Sequence, residues 1–198
     1  MTNKYSTVDL SVNFECDDKT IAFIRRFLCI NKIGLVCKKV NISYRDSVIL
    51  KVKKTSLQSI NENNGYMYLI YENLDNKAEQ KWTGYDILVA DNPTYHKSVF
   101  QKLSGKNIGF EILVSNLKYR NSYEVGKWFS DVKYIHYLCK KYRHQLILSS
   151  GASNVYELLS AKIFDSILFK LDILPDEYWF SLHTWLENKN RGIVYDSN

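Results

Sequence analysis

The sequence predicts a single α/β domain in which about seven short strands, parallel and alternating with helices, curl into a barrel. Three observations lead there. Compact apolar runs, among them Asp86-Ile87-Leu88-Val89-Ala90 and Leu146-Ile147-Leu148, have the length and composition of buried strands. The stretches between such runs carry apolar residues at helical spacing, and that alternation builds parallel β/α units. About seven strands are too many for a short open sheet and enough to curl into a barrel. With 198 residues, no internal repeat and no low-complexity linker, the chain fits one domain with a sizeable core.

Each element has its own signal. Val8, Leu10, Val12 and Phe14 alternate with Thr7, Asp9, Ser11 and Asn13, the pattern of a half-buried strand. Asp17 or Asp18 caps the following helix, whose apolar face is Ile21, Ile24, Phe27 and Leu28. Ile33 to Val40 and Val48 to Val52 are the next strands, Asn61 to Gly65 is a polar turn, and Tyr66 to Tyr71 is a further strand. Asp75 to Gly84 is polar, a short helix or loop. Asp86 to Ala90 is a strand, and Asn92-Pro93 starts a helix through Leu103, since proline is tolerated in a first turn. Ile108 to Val114 follows as a strand. Asn121 and Glu124 form a capping box for a long helix to Tyr142, with Val125, Trp128 or Phe129, Val132, Ile135, Leu138 and Tyr142 on its apolar face. Lys140, Lys141 and Arg143 sit in its last turn, where the helix dipole favours cations. Leu146 to Leu148 closes the strand series. Ile163, Ile167, Leu168 and Leu171 mark the penultimate helix, and Pro175 opens the last one, which carries Trp179, Leu182 and Trp185.

A hydrophobic content of 45% with 14% aromatic residues excludes general disorder. No run approaches membrane-spanning length and the first ten residues lack the apolar core of a signal peptide, so an intracellular, cytoplasmic protein without a membrane partner is expected. The four cysteines (Cys16, Cys29, Cys37, Cys139) contain no CxxC pair and read as small buried hydrophobes. The four histidines are scattered, with neither HxH nor HExxH.

The net charge of +6 is unevenly spread. Lys118, Arg120, Lys127, Lys133, Lys140, Lys141 and Arg143 face only Glu124 and Asp131. Lys38, Lys39, Arg45, Lys51, Lys53 and Lys54 face only Asp46, while the chain from Gln145 onward is net acidic. Such polarity suits a polyanion on one side, or a merely solvated lysine-rich surface.

The stretch Gln145 to Asp165 organises the chain. An apolar strand ends in Ser149, Ser150, Gly151 and Ala152, and Asn154 caps a short helical turn reaching Leu158 and Leu159. A strand ending in small hydroxyl residues leaves N–H groups and hydroxyls at a sheet edge, where α/β folds place anions. Barrels of this class put function at the C-terminal strand ends. The polar candidates there are Asn13, Glu15, Glu72, Asp91, Asn92, Ser115, Asn116, Ser149 and Ser150. None forms a nucleophile motif: Ser150-Gly151 lacks a GxSxG elbow, and no histidine is placed to activate the serine. Scattered acids at strand ends serve more often as caps than as ligands. Catalysis centred on the protein is therefore not supported, and the positive signal is electrostatic. Lys118 and Arg120, on a loop after a strand, are stronger candidates for phosphate contact than the helix lysines. Tyr119, Tyr134, Tyr137 and Tyr142 offer rings for base stacking, with Tyr137 and Tyr142 the better candidates for packing against the barrel.

Three features in order carry a family resemblance: Gly109-Phe110-Glu111-Ile112 opening a strand, the long basic helix, and Ser149-Ser150-Gly151-Ala152 followed by Glu157-Leu158. In these the chain resembles archaeal ribonuclease P protein component 3 and its eukaryotic counterpart in RNase P and RNase MRP. The resemblance implies a TIM-barrel-like fold related to the polymerase-and-histidinol-phosphatase barrel. It implies a non-catalytic subunit that helps fold the RNA removing the 5′ leader of precursor tRNA, an endoribonuclease reaction. It implies no cofactor bound by the protein, with the catalytic Mg held by the RNA. Implied partners are RNase P RNA, precursor tRNA, other RNase P proteins, and the small ferredoxin-like protein component 2 in a pair of heterodimers. The RNA-contact set expected on this basis is Lys118, Arg120, Lys162, Ser149, Ser150, Lys53 and Lys54. The chain also departs from the pattern. Family members continue the serine motif with Leu-Arg-Ser-Pro-Arg-Asp, where this chain has Leu158-Leu159-Ser160-Ala161-Lys162-Ile163, and the Arg-Pro following the FE-type strand corresponds to Ser115-Asn116. RNA contacts made by those arginines are weakened or moved to Lys118 and Arg120. The alternative reading is a free-standing metal-dependent phosphoesterase barrel that has lost its histidines, since this chain has Asn13-Phe14-Glu15 where such a barrel carries HxH.

Overall fold

A computed structural model describes residues 5–36, 43–53, 66–74, 82, 84–90 and 97–190. The expected turn at Asn61 to Gly65, nearly all of Asp75 to Gly84, and the helix start at Asn92-Pro93 lie outside these residues. So do Cys37, Lys38, Lys39, Val40, Lys54, Asp91 and His96.

Seven parallel strands stand side by side in chain order: β1 (Val8–Val12), β2 (Lys32–Leu35), β3 (Val48–Lys53), β4 (Met67–Asn73), β5 (Ile87–Val89), β6 (Gly109–Leu113) and β7 (Gln145–Ser149). Every sequential pair is hydrogen-bonded in parallel register. Among the described residues five α-helices accompany the strands: α1 (Asp18–Phe27), α2 (Lys97–Lys102), α3 (Ser122–Tyr142), α4 (Ala161–Lys170) and α5 (Pro175–Asn190). The expected barrel of about seven strands is the fold found; the second strand, expected from Ile33 to Val40, ends already at Leu35, and Val36 lies outside it.

Local chemistry sets the boundaries. Asp17 caps α1 by accepting from the Thr20 N–H at 2.8 Å. Asn121 and Glu124 make the reciprocal capping box of α3, both bonds at 3.0 Å. Trp128, Val132, Ile135 and Leu138 bury the inner face of α3, and Arg143 ends it in the left-handed conformation. Gly34 has no substitute in β2, because a Cβ there would overlap the Leu10 carbonyl of the neighbouring strand.

Two expectations of burial are corrected. β1 is not half-buried: Asp9 and Ser11 are as enclosed as Val8 and Leu10, because the polar alternates meet other polar groups rather than water. Cys29 is exposed at the α1–β2 junction, with φ 55°, and is not a buried hydrophobe.

The barrel is nearly closed. β1 and β7 meet through one isolated bridge, Val12 to Ala152, with the Asn13 N–H donating to the Ala152 carbonyl at 2.8 Å. Below it, alternate N–H groups of β7 face a strand that does not pair with them. Side chains take them instead. Leu148 N–H donates to the Tyr178 hydroxyl at 2.7 Å, and Ser150 N–H donates to Asp9 Oδ1 at 3.0 Å. Burial drives the Tyr178 phenol far above its ordinary range, so the hydroxyl keeps its proton. α5 supplies this tyrosine as it crosses the N-terminal mouth of the barrel. Its Ser181 bonds Gln145, Trp185 bonds the Asn107 carbonyl, and Lys189 pairs with Asp86, all at the starts of β7, β6 and β5.

The seam makes Tyr178 a measurable point of stability. Tyr178→Phe keeps the ring and strands a buried N–H, so it should lower unfolding free energy by about 1–3 kcal/mol in denaturant titration. An unchanged midpoint would show that the seam does not depend on this bond.

Candidate nucleic-acid interface

Inside the barrel, Lys51 on β3 reaches across to Glu111 on β6. Its ammonium pairs with Glu111 Oε2, and both side chains are almost wholly buried. Lys51 Nζ also donates to Ser11 Oγ at 3.1 Å and lies 4.8 Å from the centre of the Tyr71 ring. Glu111 Oε1 accepts from the Ser149 hydroxyl at 2.6 Å. Buried ions are tolerated only when paired and hydrogen-bonded, and removal of one partner from such a pair typically costs about 3–5 kcal/mol. The arrangement is a closed ionic lock. Lys51, counted by sequence within a cationic run, is withdrawn from any contact with an outside polyanion.

Asp9 sits beside this lock. Its Oδ1 accepts from Ser150 N–H and, at 3.3 Å, from Ser11 N–H, while its buried Oδ2 has no partner. Burial, more than any other cause, pushes its carboxyl up to about 6, with the Glu111 charge adding and the Ser150 bonds opposing. Among the described residues no group of three or more His, Cys, Asp and Glu side chains is arranged to hold a metal ion. Glu15 is exposed, and Glu72 accepts from its neighbour Asn73 N–H.

The serine motif explains how the rim is built. Ser149 serves the lock. Ser150 donates its N–H to Asp9, and its carbonyl accepts from Ser115 N–H at 2.9 Å. Its hydroxyl accepts from Ala152 N–H at 3.1 Å. Gly151 takes φ +67° under Ser115, whose hydroxyl a Cβ would overlap. Ala152 makes the bridge to β1. Asn154 then caps the short turn Val155–Glu157 by accepting from Tyr156 N–H. The expectation that Ser149 and Ser150 meet RNA is therefore corrected: both are buried, with their polar atoms engaged within the barrel.

Lys118 and Arg120 follow the short turn Val114–Leu117 after β6 and are exposed. Lys118 pairs with Glu157 at 2.6 Å and ties the two rim loops together. The Lys118 ammonium, helped by Ser153, holds the Glu157 carboxyl down at about 2. Arg120 donates to the Asn116 carbonyl and to Glu124, which leaves one face of its guanidinium open. Tyr119 stands between them, fully exposed, with φ 62°. Tyr123 and Tyr156 are nearly as exposed and flank the same two loops. Sequence reasoning missed this pair, because a tyrosine inside a helical pattern reads as packing. Lys53 ends β3 at this same C-terminal end and is exposed; Lys54 lies outside the described residues.

Other candidates are placed elsewhere. Lys162 is exposed in the first turn of α4, and the adjacent Ala161 N–H donates to the Leu28 carbonyl at the α1–β2 junction. It therefore lies at the opposite end of the barrel from Lys118. Lys133 pairs with Asp172. Tyr142 is half-buried as expected, whereas Tyr137 is 55% exposed and stacks on Tyr134 rather than on the barrel.

The comparisons bear on this geometry. A solved chain shares the fold. It comes from a structure described as the cryo-EM structure of archaeal ribonuclease P with mature tRNA, and it superposes with a TM-score of 0.67 at 14% identity over 96% of both chains. No family model matches the sequence, and no curated protein does. The shared architecture thus extends over the N-terminal half, where the sequence offered only the order of elements. Among the described residues no helix is long and apolar enough to cross a membrane.

Asp9 makes the interior testable by pH. Its folded value of about 6 lies above the ordinary 3.8, so its contribution to stability is complete below pH 3.8 and is lost as pH rises through 6. Wild type should lose on the order of 3 kcal/mol from this group between those limits. Asp9→Asn should not, as read by denaturant unfolding at acid and neutral pH. Parallel profiles would show that Asp9 does not titrate in that range.

Proposed function

We propose that the chain is a protein subunit of ribonuclease P that binds and organises RNA without supplying catalytic groups. In that role it would serve 5′-leader removal from precursor tRNA, with Mg held by the RNA. The observation that carries this reading is the end-to-end fold likeness to a chain of an archaeal ribonuclease P structure. The interior supports it. Where an enzyme of this fold class needs open groups at the C-terminal strand ends, Ser11 and Glu111 are engaged with Lys51, and Ser149 with Glu111.

The rim supplies what an RNA contact needs. Lys118, Arg120 and Lys53 offer cations, and Tyr119, Tyr123 and Tyr156 offer exposed rings. Cations neutralise phosphates and release counterions, while exposed rings take unpaired bases by stacking. A cytoplasmic particle containing RNase P RNA, other RNase P proteins and the small component 2, in a pair of heterodimers, is the assembly this reading implies.

Binding to RNase P RNA should weaken steeply with salt. Arg120→Ala should reduce the slope of log affinity against log salt by roughly 0.7–0.9, one phosphate contact. Tyr119→Ala with Tyr156→Ala should weaken binding to unpaired loops by about 1–3 kcal/mol per stacked base and leave the slope in place. Salt-independent binding, or none even with the partner present, contradicts the proposal.

A further inference from the structure

The basic segment around α3 does not form one surface. α3 has 21 residues, which places Arg120 and Arg143 about 30 Å apart at opposite ends of the barrel. At the far end the C-termini of α2 and α3 are pinned together. Gly105 N–H donates to the Tyr142 carbonyl at 3.4 Å, and the Ser104 hydroxyl reaches the same oxygen at 3.5 Å. Lys102 and Lys106 therefore come from one side of this corner, and Lys140, Lys141 and Arg143 from the other, all exposed.

These five cations differ from those at the rim in one respect. Lys118 and Arg120 are each held by a carboxylate, whereas among the described residues none of the five is in an ion pair. Neither residues 97–107 nor residues 132–145 contain an Asp or Glu. Like charges gathered on a rigid corner repel one another; the helix dipoles favour Lys102, Lys140 and Lys141 in their last turns, whereas Lys106 and Arg143 lie past the helix ends. Lys140 helps keep the half-buried His136 neutral, second to burial itself. The Lys141 ammonium lies over the Tyr137 and Tyr142 rings, 5.8 Å and 5.7 Å from their centres, while the side chain stays exposed.

We infer that this corner is a second RNA-binding surface, which takes the phosphate backbone of a segment other than the one at the rim, so that the protein clamps two RNA segments about 30 Å apart. The inference rests on the RNA-binding reading above. A phosphate backbone fits because residues 97–107 and 132–145 bring ammonium groups and a guanidinium to the corner and no acid of their own, although Lys140 also borders a cavity that Asp172 and Glu177 line. A duplex, whose bases are stacked away, is the direct probe.

The test uses the full chain with three probes: a blunt RNA duplex, polyuridine of equal phosphate count, and polyglutamate of equal charge. The corner variant combines Lys106→Ala, Lys140→Ala, Lys141→Ala and Arg143→Ala; the rim variant combines Tyr119→Ala and Tyr156→Ala. All six side chains are exposed, and unchanged thermal melting confirms folding. The corner variant should lose about 10- to 100-fold in duplex affinity at moderate salt, with a slope shallower by roughly 2–3. The rim variant should lose polyuridine binding and keep the duplex. A corner variant that binds duplex like wild type, with RNA binding lost only in the rim variant, overturns the second surface and leaves the function intact. Polyglutamate competing as well as duplex assigns the corner to an acidic protein and overturns the inference. A wild-type protein that binds neither RNA overturns the function itself.

Discussion

The structure depends on how a seven-stranded parallel barrel closes where its first and last strands barely pair. A missing ladder leaves buried N–H groups, and each unsatisfied one costs about as much as a lost hydrogen bond. The chain solves this with side chains brought from distant positions: Asp9 for Ser150, Tyr178 for Leu148, and the Ala152 bridge above them. The serine motif, the acidic residue in β1 and the last helix thus belong to one device. Its consequence is functional, since groups that would otherwise line an open mouth are engaged in holding the barrel shut.

The interior lock extends the same logic. An ammonium and a carboxylate facing each other across the barrel neutralise one another, and two serine hydroxyls satisfy their remaining bonds. Such a group fixes the positions of β1, β3, β6 and β7 together, since each strand donates one member. It also leaves the rim loops, tied by Lys118 and Glu157, as a rigid platform for outward-facing tyrosines. In this molecule the exposed rings at the strand-end rim, those of Tyr119, Tyr123 and Tyr156, lie outside the barrel.

Much of this was legible in the sequence, for physical reasons. The capping box of α3, its apolar face and the buried run of β7 are local signals, and they appear in the structure nearly as read. The polar alternates of β1 misled, because period-two polarity has the same form whether it meets water or a polar interior; only the partner strands decide. Lys51 misled likewise, since its pairing with Glu111 spans 60 positions. The serine motif reads in the sequence as an anion-ready sheet edge, because the acceptors that engage its hydroxyls, Glu111 and the Ser11 carbonyl, lie on strands far away in sequence. Tyr123 and Tyr156 left no pattern at all, as exposure is a property of the assembled surface.

The most direct measurement of the central claim is recovery of the tagged protein from its native cells, followed by sequencing of the RNA that co-purifies. The account predicts strong enrichment of a single RNase P RNA that is retained at low salt and released as salt rises. Recovery free of RNA, with hydrolysis of phosphoesters by the protein alone, would contradict it.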